Sequence, residues 1–172
     1  MEIKAVLFDL DGTLLDTLQD LTDAVNYVLI KYGYPARTVE QIRQAVSNGA
    51  RNLIVQAVPE GADVDMVLDT FREYYNAHCQ IKTKAYDGIL EALAVLGEKY
   101  PMAVVSNKPD VAVKPLCEQY FPGVYALGER ADCPRKPAPD MVYEALNILG
   151  VKKEAVIYRL KTKMLSKFDF AK

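Results

Sequence analysis

Residues 5–13 read AVLFDLDGT: an apolar run stops at a carboxylate, Asp9, and a second carboxylate, Asp11, follows before Gly12 and Thr13. A short apolar run bounded by polar residues fits a strand covered on both faces, as strands of parallel sheets are. Three later segments repeat this shape and then pass into a helical pattern: 102–105 before Ser106 and Asn107, 124–127 before Gly128 and Glu129, and 155–158. Helices are expected over 87–98, with Leu90, Leu93 and Ala94 on one face, and over 139–149, with Val142, Ala145, Leu146 and Leu149 on one face. Strand-helix alternation of this kind predicts an α/β fold with a parallel sheet and right-handed crossovers. In such sheets ligands bind at the carboxyl ends of the strands.

The interval 14–84 interrupts the alternation and reads as helices only. Asp16 is placed to cap a first helix with Gln19 reaching back, Leu21, Val25 and Val28 form its apolar stripe, and Gly33 with Pro35 ends it. Thr38 and Gln41 repeat the capping pattern, Ser47 to Gly49 reads as a turn, a third helix covers about 50–57, and a fourth carries Leu68, Phe71 and Tyr75 at helical spacing. The chain is thus expected to divide into a core, 1–13 and 85–158, an inserted all-helical subdomain, 14–84, and a basic tail, 159–172. Pro115 is expected to kink or restart the helix that follows Pro109.

Charge narrows the partners. Lys plus Arg number 21 against 23 Asp plus Glu, so no overall basic field exists to attract nucleic acid and any anion site must be local. No apolar segment has the length of a bilayer span, and the N-terminus has no apolar stretch fit for a signal peptide, so no membrane partner and a cytoplasmic setting are expected. A single histidine, His78, removes most His-based triads and multi-His metal sites. Cys79, Cys117 and Cys133 are widely spaced, so a metal cluster or a disulfide framework is not expected.

Asp-Gly is a common turn dipeptide, and by itself DLDGT reads equally well as a turn. However, Ser106 and Asn107 end the second predicted strand, and Lys136 in RKPAP follows the third. A nucleophilic carboxylate, a second acid, a hydroxyl and a fixed cation together suit phosphoryl transfer.

DLDGT, VVSNK and RKPAP, in that order, resemble the motifs of the haloacid dehalogenase superfamily, and within it those of phosphoglycolate phosphatases with a helical cap. The resemblance implies a Rossmann-like core with the helical insertion as cap. It also implies a magnesium-dependent phosphatase that hydrolyses a small phosphorylated metabolite through an aspartyl-phosphate, with 2-phosphoglycolate the favoured substrate. Asp9 would be the nucleophile, and Asp11 the acid that protonates the leaving alkoxide and then activates water. Ser106, Asn107 and adjacent backbone N–H groups would hold phosphoryl oxygens, Gly12 would let the backbone approach, and Lys136 would stabilise the transition state. Mg2+ would be bound by the Asp9 carboxylate and the Asp11 carbonyl. In the cap, Asn48, Gly49 and Arg51 resemble the substrate-facing loop, where Arg51 pairs with a substrate carboxylate; a solvated arginine at a helix start is the alternative.

The resemblance ends at about Tyr158. Leu160 and Lys161 stand where the family carries a glycine and a metal-binding aspartate, and Leu165 stands near the place of a further acid. The last core strand is therefore expected to be missing, leaving a sheet edge open to self-association. Leu160, Met164 and Phe168 could form one face of a short helix, too short and too weakly apolar for a membrane anchor. Two functions of different class follow: a phosphatase impaired in this chain, or a catalytically silent phosphate-binding fragment of one.

Overall fold

The computed structural model describes residues 3–46 and 49–152 and the strand 156–159. The elements run β1 (Ala5–Phe8), β2 (Leu15–Asp16), α1 (Leu18–Lys31), α2 (Val39–Ala45), α3 (Gly49–Ala57), α4 (Val64–His78), β3 (Lys84–Ala85), α5 (Ile89–Gly97), β4 (Met102–Pro109), α6 (Asp110–Tyr120), β5 (Tyr125–Glu129), α7 (Asp140–Leu149) and β6 (Val156–Arg159). They divide into two compact units, Met1–Leu15 with Ala85–Lys172, and Asp16–Lys84.

The first unit is an α/β layer structure. Its four-stranded sheet has the order β5-β4-β1-β6, with every pairing parallel. Alternate side chains enter opposite cores, as the pleat requires. Val6 and Phe8 of β1, Val104 of β4 and Ala126 of β5 pack with Leu93 of α5 and with Val113, Leu116 and Cys117 of α6. Leu7, Ala103, Val105 and Leu127 face the other way, onto Met141, Val142, Ala145 and Leu146 of α7. Strand order reverses at β1: the chain moves outward to β4 and β5, then returns to the other side of β1 as β6. The carboxyl ends of β1 and β4 are thus the place where such a sheet opens a crevice. Among the described residues β6 is an edge strand. Residues 160–172, including Lys161 and the predicted tail helix, lie outside the described residues.

Three local expectations are corrected. On α5 the inward face is Ile89, Leu93 and Leu96, whereas Leu90 and Ala94 are exposed; in a helix this apolar, periodicity alone does not choose the face. The helix after Pro109 is continuous from Asp110 to Tyr120 with Pro115 inside it, so Pro115 does not restart it. Ser106 and Asn107 lie within β4, which runs on to Pro109 with a register shift between Val105 and Pro109 against β5.

The second unit is four helices. The Thr38 and Gln41 capping box is present at the start of α2. At α1 the N-cap is Thr17, Asp16 Oδ1 accepts from Leu18 N at 3.3 Å, and Gln19 turns instead to Asp23, which corrects the reciprocal cap expected there. Leu68, Phe71 and Tyr75 of α4 are buried, as their spacing predicts. Buried Asp20 accepts the N–H groups of Lys82 and Thr83, tying the returning chain to α1 with three hydrogen bonds. No helix among the described residues is long and apolar enough to cross a membrane.

Candidate active site

The site grows from the turn after β1. Gly12 has φ +73°, a left-handed conformation that side chains disfavour. Its N–H reaches Leu15 O, while the N–H groups of Thr13, Leu14 and Leu15 converge on Leu10 O. This stretch is therefore a turn, and the same turn carries Asp9 and Asp11 to the carboxyl end of the sheet.

Asp9 is buried, and its Oδ1 accepts two hydrogen bonds, from Leu10 N at 2.9 Å and from Lys136 Nζ at 2.8 Å. Lys136 Nζ also donates to Val105 O of β4 at 2.6 Å. The lysine side chain is 1% exposed, so the cation is stabilised by this carboxylate and carbonyl rather than by water. With Oδ1 occupied twice, Oδ2 is the oxygen of Asp9 left to act on a ligand.

Asp11 sits in a second group from the same strand tip. Lys108 Nζ donates to Asp11 Oδ1 at 2.9 Å, Ser106 Oγ lies 3.4 Å from Asp11 Oδ2, and Lys108 N donates to Ser106 Oγ at 3.1 Å. The structure thus brings together Asp9, Asp11, Ser106 and Lys136 from segments far apart in sequence. It adds Lys108, whose only sequence signal was its place directly after Ser106 and Asn107. Asn107 does something different. Its Nδ2 donates to Lys136 O at 2.9 Å and its Oδ1 accepts from Lys136 N at 2.8 Å, so the side chain is committed to the main chain of Lys136. Any part Asn107 plays in holding phosphate falls to its backbone.

In the helical unit, Gly49 opens α3 with φ +80°. Arg51, in the first turn of that helix, forms an ion pair with Asp65 and is half exposed. Asn48 lies outside the described residues.

The motifs imply a magnesium site at this strand tip. Magnesium takes six oxygen ligands in a near-ideal octahedron. Among the described residues no three ligating side chains converge, and each of the two carboxylates already carries a lysine ammonium. The four charged side chains, two acids and two lysines, cancel. These residues do not by themselves make up a magnesium site.

Cys117, in α6, is buried, and its thiol is pushed up to about 12, first by burial and then by the negative charge of Asp11, with Lys108 opposing. At pH 8 only about one such thiol in ten thousand would be ionised. Cys79 is buried as well, and Cys133 is partly covered. Titration of the native chain with a chromogenic disulfide reagent is expected to consume no more than one thiol quickly and all three after unfolding. Rapid native reaction of Cys117, identified by mass spectrometry, would contradict this packing.

The chain is 32% identical over 167 residues to phosphoglycolate phosphatase 1 of Pseudomonas aeruginosa, an alignment that covers 90% of this chain and 61% of that protein. It is 33% identical over 169 residues to the N-acetylmuramic acid 6-phosphate phosphatase of the same organism, covering 92% of this chain and 73% of that one. A crystal structure of a candidate phosphoglycolate phosphatase from Lactobacillus delbrueckii subsp. bulgaricus superposes with a TM-score of 0.82 at 39% identity, covering 92% of this chain and 78% of that one. The sequence pattern of haloacid dehalogenase-like hydrolases matches residues 6–159, which takes in the β1 turn, the β4 tip and the Lys136 segment together. A match of that extent means that the chain belongs to the haloacid dehalogenase-like hydrolase family.

Proposed function

We propose that this chain hydrolyses a small phosphate monoester by passing the phosphoryl group through Asp9. The observation that carries the reading is the Asp9–Lys136 pair, which leaves one carboxylate oxygen for attack beside a buried cation that can take up charge on the phosphoryl oxygens. In the first step Asp9 Oδ2 bonds to phosphorus as the phosphorus–alkoxide bond breaks, and Asp11, carrying on Oδ2 a proton taken from solvent against the pull of the Lys108 ammonium at Oδ1, gives that proton to the leaving oxygen. In the second, Asp11 takes a proton from water, the water oxygen attacks phosphorus, and inorganic phosphate leaves with Asp9 restored. Ser106 and the backbone N–H groups beside it would hold the phosphoryl oxygens.

The magnesium dependence implied by the motifs remains part of the proposal in a reduced form. The described residues offer an incomplete ligand set, so weak metal affinity and slow turnover are expected. The proposed setting is the cytoplasm, with self-association through the β6 edge as a further expectation. As for substrate, the two relatives are named for phosphoglycolate and for N-acetylmuramic acid 6-phosphate, both phosphate monoesters that also bear a carboxylate. A carboxylate-bearing monoester, 2-phosphoglycolate first, is the proposed class, with Arg51 the proposed partner of that carboxylate.

The incomplete ligand set favours one second reading, a chain that binds phosphate without turning over. The two readings separate in one experiment: p-nitrophenyl phosphate hydrolysis across a magnesium titration, beside calorimetry with inorganic phosphate. Slow turnover that still climbs at millimolar magnesium is expected. Phosphate binding without turnover at any magnesium concentration would establish the silent reading, and neither binding nor turnover would end both.

A further inference from the structure

Lys108 is a buried lysine that closes the VVSNK segment and to which the resemblance assigned no role. Lysine is almost never fully buried unless paired, and an apolar side chain of the same length would pack the strand tip without the cost of desolvating an ammonium. Its side chain is 5% exposed and its Nζ meets Asp11 Oδ1 at 2.9 Å. The same residue, through its backbone N–H, fixes the Ser106 hydroxyl that lies beside Asp11 Oδ2. One segment of β4 therefore addresses both oxygens of Asp11, and the strong contact is the lysine's, since 3.4 Å is long for a bond between oxygens.

We infer that Lys108 is the positioning residue for Asp11 in the phosphoryl transfer proposed above, on which this inference rests. A proton donor must present one defined oxygen to the leaving group. Lys108 anchors Oδ1 and so aims Oδ2. Asp11 is a quarter exposed, so water lies beside a carboxylate that loses this anchor. Misplacement of a reacting group by about 1 Å costs on the order of a hundredfold in rate.

The loss depends on the leaving group, and this separates positioning from a structural or phosphate-binding role. An alkyl phosphate needs its alkoxide protonated, whereas p-nitrophenolate departs without a proton. The value of kcat/KM reports only steps through phosphoryl transfer, so the later hydrolysis of the intermediate does not obscure it. Lys108→Met is expected to lower kcat/KM for 2-phosphoglycolate by about a hundredfold and for p-nitrophenyl phosphate by less than about threefold. Lys108→Gln, which keeps a donor, should recover part of the difference. In a crystal structure of Lys108→Met, the Asp11 carboxylate should lie at least about 1 Å from its present place. Equal losses on both substrates, with a matching loss of inorganic phosphate affinity, would make Lys108 a phosphate contact and overturn the inference. An unmoved Asp11 in the crystal would overturn it as well. If the parent chain turns over neither substrate, the phosphatase reading falls, and the crystal comparison still decides whether Lys108 holds Asp11.

Discussion

Asp9→Asn is expected to remove turnover of p-nitrophenyl phosphate by more than about a thousandfold, because an amide cannot form the acyl-phosphate. The substitution is nearly isosteric, and the asparagine oxygen can still accept the Leu10 N–H and the Lys136 ammonium. What it removes is the counter-charge of a lysine that has almost no contact with water. Breaking a buried pair by neutralising one partner costs about 3–5 kcal/mol, and the retained acceptor should place this variant at the lower end of that range. The variant should therefore melt lower yet remain folded, with activity at background. Turnover equal to that of the parent would mean a contaminating phosphatase or a different nucleophile.

The second large effect is structural. Gly128 of β5 lies so close to the β4–α6 junction that a Cβ there would sit 2.4 Å from Asp110 Cα, 2.6 Å from Asp110 N and 2.7 Å from Lys108 O. All three are backbone atoms, so no side chain can swing away to make room. The Gly128 N–H also donates to Asp110 Oδ1 at 2.9 Å, which draws the two segments together. Gly128→Ala must push β5 off the junction, at a cost of about 3 kcal/mol or more. For a chain of this length that corresponds to roughly 6–12 °C in Tm. Because the displaced atoms include the Lys108 carbonyl, turnover should fall with stability. A thermal melt within about 2 °C of the parent would show that the junction is looser than its geometry implies.

Both sites of change were unequally legible in the sequence. Asp9, Asp11, Ser106 and Lys136 announced themselves because each ends or follows an apolar run, and a parallel sheet gathers strand ends on one side. The capping box at Thr38 and Gln41 was readable for a similar reason: both partners are local. Lys108 and the second role of Asn107 were not readable, since their partners, Asp11 and Lys136, lie 97 and 29 residues away and nothing local indicates the pairing. The crowding at Gly128 was hidden too, because its φ is ordinary and only tertiary contact demands the glycine. The face of α5 failed for a different cause. Apolar residues lie on more than one side of that helix, so the sheet, not the periodicity, selected Ile89, Leu93 and Leu96.

The bond between Lys136 and Asp9 also sets a timetable for synthesis. Its partners are 127 residues apart, and at ribosomal rates of about 5–20 residues per second Asp9 leaves the peptidyl-transfer centre roughly 6–25 s before its cation is made. During that interval Asp16–Lys84, a contiguous stretch whose helices contact one another, is complete and can fold on its own contacts. The nascent chain therefore carries a folded helical unit flanked by an unpaired β1, and the acidic turn can be desolvated only after β4, β5 and the Lys136 segment have emerged. A pause or a release before residue 136 would leave an apolar strand ending in an Asp9 carboxylate without its cation, a species whose unpacked sheet chaperones and proteases would meet as unfolded.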